Sequence, residues 1–212
     1  MNRKECFAVK FLGIMTALLL CAVLSGTGQK EAQAAVSSDG AYQYELDANG
    51  HAVLTAYLGQ DTEVAVPATM DGISVAALSG TYQNHDRITR VTIPAGVVSV
   101  DETAFAGCYG ITGFTVDPAN AGLSSDAEGV LFSKDGSLLL RYPVGKHQSS
   151  GTYRIPAGVV NVGGYAFEGY NTPGIEIPSN VRVIGDYAFA ETAVKSVVLP
   201  DGVSTLGNYA FN

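Results

Sequence analysis

The chain is poor in positive charge, in cysteine and in long apolar runs, and each shortage excludes something. Its 212 residues hold 12 Lys and Arg against 20 Asp and Glu, a formal net charge of −8. An acidic chain has no electrostatic footprint for a nucleic-acid backbone or an anionic membrane surface, so neither is expected as a partner. Cysteine occurs only as Cys6, Cys21 and Cys108. That is no disulfide framework, and a packed core has to supply the stability. The histidines, His51, His85 and His147, stand in separate loops without metal-ligand spacing. No phosphate-binding glycine loop is present, since Gly163-Gly164 belongs to a repeat. Cys108 with His85 or His147 is the one thiol–imidazole pairing available, and Cys108 occupies a repeat position. Asp47-Ala48-Asn49-Gly50 starts like a calcium loop but lacks the later ligands, so it reads as a turn. The expectation is a protein with no catalytic residues, no cofactor and no metal.

The single apolar run, Phe11 to Leu24, is too short for a comfortable membrane span. It follows a basic start (Arg3, Lys4, Lys10) and precedes the small-residue site Ala32-Gln33-Ala34. That order is a secretory signal peptide over residues 1–34. Its removal would leave 178 residues with 8 basic and 18 acidic side chains, net −10, and Cys108 as the lone thiol. No membrane insertion is expected after cleavage.

What the chain does have is one phrase, repeated. IPAGVVNVGGYAF spans Ile155–Phe167, IPSNVRVIGDYAF spans Ile177–Phe189, and LPDGVSTLGNYAF spans Leu199–Phe211. The three prolines, Pro156, Pro178 and Pro200, lie 22 residues apart, as do Phe167, Phe189 and Phe211. An earlier copy, IPAGVVSVDETAF, runs from Ile93 to Phe105. A fixed period of this size is the signature of a solenoid, in which each copy is one turn and buries its apolar face only by stacking.

Each turn reads the same way. A short alternating strand (Arg90–Ile93, Thr152–Ile155, Gly174–Ile177, Ser196–Leu199) ends at proline, which cannot donate to a ladder. A turn follows, with Gly96, Gly158, Asn180 or Gly202 at its third position. These are the types that best accept positive φ, so one left-handed residue is expected there. A second apolar pair comes next (Val97 and Val100, Val159 and Val162, Val181 and Ile184, Val203 and Leu206), then Ala-Phe. Stacked in register, the phenylalanines should form one internal aromatic ladder. Tyr165, Tyr187 and Tyr209 should form a second, either partly buried with hydroxyls in water or open to sugars or a protein partner.

The fold class expected is a repeat solenoid. It is leucine-rich-repeat-like and β-rich, with short helical or irregular segments, a parallel strand ladder and an N-terminal β-hairpin cap. Residues 35–63 form the N-terminal tail and the capping hairpin, with strands within Ala41–Leu58 around Asp47–Gly50. Residues 64–212 form the solenoid, which opens on a degenerate turn at Val66-Pro67. Tyr82–Arg87 reads as a surface loop. An insertion near 117–142 holds a hairpin around Asp135-Gly136, expected to extend the sheet.

These residues resemble the BspA-like bacterial leucine-rich repeat family of secreted and surface proteins. The phrase Ile-Pro…Val…Ile-Gly…Ala-Phe carries the likeness over Val64 to Asn212, and Ala52–Gly59 and the inserted hairpin look like parts of it too. Cys108 falls where the family often packs a cysteine after Ala-Phe. The chain departs from the commoner repeat in its asparagine, present only as Asn180. The resemblance implies a leucine-rich-repeat solenoid and, often, adhesion to host or partner-cell proteins.

The functional expectation is a secreted or cell-surface interaction and adhesion module without catalytic activity, binding an extracellular or host protein. A carbohydrate-binding or scaffold domain of a larger extracellular enzyme is the alternative. The binding candidates are the outward residues of the strand ladder, Thr92, Arg154, Glu176 and Val198, with Arg90 and Ser196 beside them. They vary in type while the inward positions stay apolar.

Overall fold

A residue pattern that alternates for four positions, stops at proline and turns leaves its backbone groups unpaired within its own turn. They can be satisfied only by neighbouring turns. The computed structural model, which describes residues 34–146, 151–171, 174–194 and 196–212, shows how. The expected leader and His147 lie outside the described residues.

Two lines of parallel strands run along the solenoid. The first is built from the pre-proline segments: β4 (Glu63–Ala65), β7 (Arg90–Ile93) and β9 (Gly113–Val116) form one sheet, and β13 (Thr152–Arg154) with β15 (Gly174–Glu176) forms another. The register matches the repeat: Val64 lies beside Val91, and Arg154 beside Glu176. The second line holds the post-proline apolar pairs. Its first part is β3 (Ala52–Tyr57), β6 (Ile73–Leu78) and β8 (Ser99–Val100). Its second part is β12 (Leu138–Arg141), β14 (Asn161–Val162), β16 (Val183–Ile184) and β17 (Thr205–Leu206). Among the described residues there is no helix; the third side of each turn is a run of tight turns.

The N-terminal hairpin is present. β2 (Tyr42–Leu46) pairs antiparallel with β3, β1 (Ala35–Val36) adds to β2, and the hairpin lies at the end of the second line. β5 (Thr69–Met70) folds back on β6. In the insertion, β10 (Leu123–Ser125), β11 (Leu131–Ser133) and β12 form an antiparallel meander, and β12 then pairs parallel with β14. The inserted hairpin therefore extends the sheet. Asp135 shapes its turn by accepting from the Ser133 hydroxyl and the Ser137 backbone N–H at 2.6 and 3.0 Å.

Four expectations are corrected. The Pro turns close by Val97, Val159, Val181 and Val203 N–H donating to the proline carbonyls at 3.0–3.3 Å, yet Gly96, Gly158, Asn180 and Gly202 do not have positive φ. A turn with both central residues at negative φ needs no left-handed residue. The left-handed positions are elsewhere: Tyr165, Tyr187 and Tyr209 before Ala-Phe (φ 57°, 56°, 55°), and Asn84, Gly107, Gly169 and Glu191 two residues past the ring. Second, Ser196–Leu199 forms no strand. Third, the aromatic ladder is two ladders. Phe167, Phe189 and Phe211 stack at 5.1 and 5.0 Å with 5° between planes, and Tyr142 heads their column at 5.5 Å from Phe167. Phe105 stacks instead on Tyr82 at 5.5 Å and 2°. Fourth, Tyr82, expected on a surface loop, is fully buried at that stacking position. The insertion separates the two columns, and the buried apolar side chains fall into two clusters, one from Tyr42 to Leu131 and one from Val130 to Ala210.

Candidate interaction surface

The pre-proline strands hold their apolar residues inward (Val91, Ile93, Ile155 and Ile175 are buried) and present the alternate residues to solvent. Arg90 and Thr92 stand on β7, Thr152 and Arg154 on β13, Glu176 on β15, and all are exposed. Opposite charges meet in register across strands. Arg90 Nε is 3.8 Å from Glu63 Oε1, and Arg154 Nε is 3.0 Å from Glu176 Oε2. With side chains half to three-quarters exposed, such pairs contribute only about 0–1 kcal/mol each to stability. Their charges remain available to a partner.

The candidates do not form one continuous strip. Arg90 and Thr92 belong to the β4–β7–β9 sheet, and Arg154 and Glu176 to the β13–β15 sheet. Between them the loop 125–129 lies against β9, whose Phe114 and Val116 N–H groups donate to Gly129 O and Ser125 Oγ at 3.0 and 3.1 Å. The break leaves a hollow of about 350 Å³ lined by Arg90, Thr115, Asp126, Glu128 and Lys146 among others, with Lys146 Nζ 3.2 Å from Glu128 Oε2. Ser196 and Val198 are exposed in the unpaired segment beyond β15. Glu63 and Thr115 complete the face and were missed from sequence. The signal for Glu63 was there, as the first residue of an alternating Glu-Val-Ala-Val before Pro67.

The tyrosine column is real: Tyr165–Tyr187 and Tyr187–Tyr209 stack at 5.0 and 5.2 Å, with planes 10° and 19° apart. Stacking covers the ring faces between neighbours. A saccharide docks on a ring face, so the faces between neighbours are closed to sugars, while Tyr209, 62% exposed, is stacked on one side only. The left-handed backbone at Tyr165 and Tyr187 is held between turns by their N–H groups donating to Asp186 and Asn208 O at 2.9 and 3.0 Å.

The other candidate chemistry resolves into structure. Cys108 is fully buried, its thiol donates to Tyr82 O at 2.7 Å, and burial pushes its pKa up to about 11, away from thiolate reactivity. Asp47 Oδ1 accepts the N–H groups of Asn49 and His51, both at 2.8 Å, which makes the calcium-like segment a capped turn. His85 packs its ring 5.4 Å from Tyr57. Among the described residues no group of three or more His, Cys, Asp or Glu side chains is placed to hold a metal ion.

Among the described residues a charged pair is buried. The turn at Tyr142–Val144 lacks an Ala-Phe stretch, and Arg141 with Glu168 occupies the space. Arg141 Nη1 meets Glu168 Oε2 at 3.3 Å and the Tyr165 carbonyl, while Nε and Nη2 are buried without partners. Glu168 Oε2 also accepts the Gly107 N–H at 2.9 Å, and Tyr109 reaches across to Glu191 Oε2 at 3.0 Å. Burial lowers the Arg141 pKa, and the Glu168 carboxylate opposes that shift.

A strand–proline–turn–apolar pair–Ala-Phe unit, stacked in parallel register, defines a leucine-rich-repeat solenoid. The chain belongs to a particular family of these: the BspA type leucine rich repeat region matches residues 65–127 and 146–212 in six copies. Solved structures share the fold. A leucine-rich repeat protein from Eubacterium ventriosum superposes with a TM-score of 0.55 at 17% identity, covering 83% of this chain and 68% of that one. The pneumococcal vaccine antigen PcpA gives 0.54 at 21%, covering 65% and 40%. A leucine-rich cell surface protein from Faecalibacterium prausnitzii gives 0.50 at 22%, covering 86% and 52%. The chain thus spans between two fifths and about two thirds of these neighbours' lengths. No protein of curated function matches it.

Proposed function

We propose that this protein is a secreted or cell-surface module that recognises another extracellular protein through the outward face of its first strand line, without catalysis. The observation that carries the reading is the contrast along β4, β7, β9, β13 and β15. Inward positions are uniformly apolar, whereas outward ones change from Glu63 to Arg90, Thr92, Thr115, Arg154 and Glu176. Members of this family are typically surface protein-interaction modules. The cell-surface neighbour from Faecalibacterium prausnitzii has the same fold. A signal-like leader precedes the solenoid in sequence. The buried, high-pKa Cys108 and the dispersed histidines support a non-catalytic role. The covered ring faces of the tyrosine column weigh against a carbohydrate ligand.

The test is a panel of extracellular proteins run beside a glycan array. A protein binder is expected, and the paired substitutions Arg90→Ala with Thr92→Ala, and Arg154→Ala with Glu176→Ala, should each weaken it about tenfold. Circular dichroism should show the fold unchanged. Saturable binding confined to glycans, or a protein binder indifferent to both pairs, overturns the reading.

A further inference from the structure

The 22-residue period puts Ser196, Val197 and Val198 beside Gly174, Ile175 and Glu176, and residues 196–199 alternate as those strands do. The pairing of β13 with β15 is nevertheless not continued onto them. The segment is tied to the preceding turn at both ends, where Ala193 N–H donates to Tyr170 O at 3.0 Å and Ser204 N–H to Arg182 O at 2.8 Å. Between these ties residues 196–199 form no strand against β15. A hollow of about 350 Å³ opens there, lined by Ile175, Glu176, Ile177, Val198 and Pro200 with the serines Ser179 and Ser196. Its size is that of a small-ligand site. One wall is the edge of β15 that faces away from β13 and has no strand partner among the described residues. Ile175, Ile177, Val198 and Pro200 make much of the lining aliphatic, and Glu176 is its one ionisable side chain among the described residues.

Each of the two sheets of the first strand line holds one cross-strand pair of opposite charge, Glu63 with Arg90 and Arg154 with Glu176. In the row of Glu176 the next position is Val198, 85% exposed, which offers the carboxylate no counter-charge. Arg154 engages Oε2 of Glu176, and a carboxylate has capacity for a second donor on its other oxygen. The hollow therefore presents a strand edge to a backbone, aliphatic surface to a side-chain stem, and a carboxylate to its tip. Lysine and arginine have that amphipathic build, and the acidic chain as a whole attracts a basic partner. We infer that this cleft docks an extended, basic segment of a partner protein, in which Lys or Arg alternates with aliphatic residues and which lies along β15 by strand addition. The inference rests on the strand-face reading and names where on that face, and with what chemistry, a partner is gripped.

The test is titration of the protein with two end-blocked pentapeptides, Val-Lys-Val-Lys-Val and Val-Glu-Val-Glu-Val, followed through backbone amide resonances. The basic peptide should shift residues 174–177 and 196–200 saturably, at least tenfold more tightly than the acidic one. Glu176→Gln should weaken it at least fivefold. Val198→Lys, which places a cation beside Glu176 from the chain itself, should abolish binding, and Arg87→Ala, in the exposed loop before β7, should leave it unchanged. Equal binding of the two peptides, shifts centred elsewhere, or no saturation at millimolar peptide overturns the inference. So do shifts of the same residues on concentrating the protein alone, which would make a second copy the occupant. Strand pairing of 196–199 onto β15 in the free protein would also overturn it. A protein partner sensitive to Arg90→Ala with Thr92→Ala but not to Glu176→Gln would sink this inference alone and leave the broader face reading standing.

Discussion

Substitution of Glu168 by glutamine probes the charge pair that is buried among the described residues. The change keeps the side chain's size and an oxygen to accept the Gly107 N–H, now 2.9 Å from Oε2, and removes only the negative charge. Arg141, with 3% of its side chain exposed, then keeps its cation without a counter-charge, and its Nε and Nη2 already lack partners. Removing one member of a buried pair costs about 3–5 kcal/mol, because the remaining charge stays desolvated. The retained hydrogen bond puts Glu168→Gln near the lower end, about 3 kcal/mol. For a domain of this size that lowers Tm by roughly 6–12 °C. Replacing both members by apolar residues, Arg141→Met with Glu168→Leu, removes the desolvation penalty with the charges and should recover most of the loss. Urea or thermal melts followed by circular dichroism on Arg141→Met, Glu168→Leu, their double variant and the wild type form a closed cycle, with Glu168→Gln measured beside it. A cost below about 1 kcal/mol for Glu168→Gln, or a double variant less stable than either single one, would refute the reasoning that this pair is held by burial.

Phe189 is stacked on both faces, so Phe189→Ala should cost about 3–5 kcal/mol. Tyr187→Ala should cost visibly less, and indistinguishable melts for the wild type and Phe189→Ala would exclude the internal column. Burial holds the Cys108 thiol neutral up to a pKa of about 11, from an ordinary value of 9.0. The protonated form is favoured in the folded state, so this stability is fully present below pH 9 and is lost as pH rises to about 11. The loss is up to about 2–3 kcal/mol from this residue, and Cys108→Ala should flatten that part of the stability–pH curve. Glu191 holds φ 55° where Gly107 and Gly169 stand in other turns. Glu191→Gly should therefore stabilise by up to about 1 kcal/mol, less whatever its hydrogen bond from Tyr109 contributes, as read from denaturant midpoints.

Much of the architecture was legible because a stacked repeat makes long-range contact predictable from spacing alone. Once Pro156, Pro178 and Pro200 are seen 22 apart, the register Arg154 beside Glu176 follows, and so does the column Phe167–Phe189–Phe211. The Asp-Gly hairpin of the insertion was equally readable, since its signal is local. The left-handed positions were not. Glycine after proline points to positive φ, but tertiary hydrogen bonds between turns place that conformation at Tyr165 and Tyr187 instead, against side-chain preference. Tyr82 and Tyr142 lie outside any copy of the phrase, so their places in the aromatic columns could not be read from spacing.

The sequence by itself determined the turn, its 22-residue register and which side chains face inward, because each depends on short-range chemistry repeated often enough to leave one solution. Only the tertiary structure decided how the outward face is divided. The insertion's loop lies against β9 and splits the strand line, and residues 196–199 form no strand against β15 although they alternate like the others. Alternation sets which way a side chain points, whereas pairing depends on how closely the neighbouring turns hold the backbone. That spacing is a property of the packed turns and is written in no single one of them.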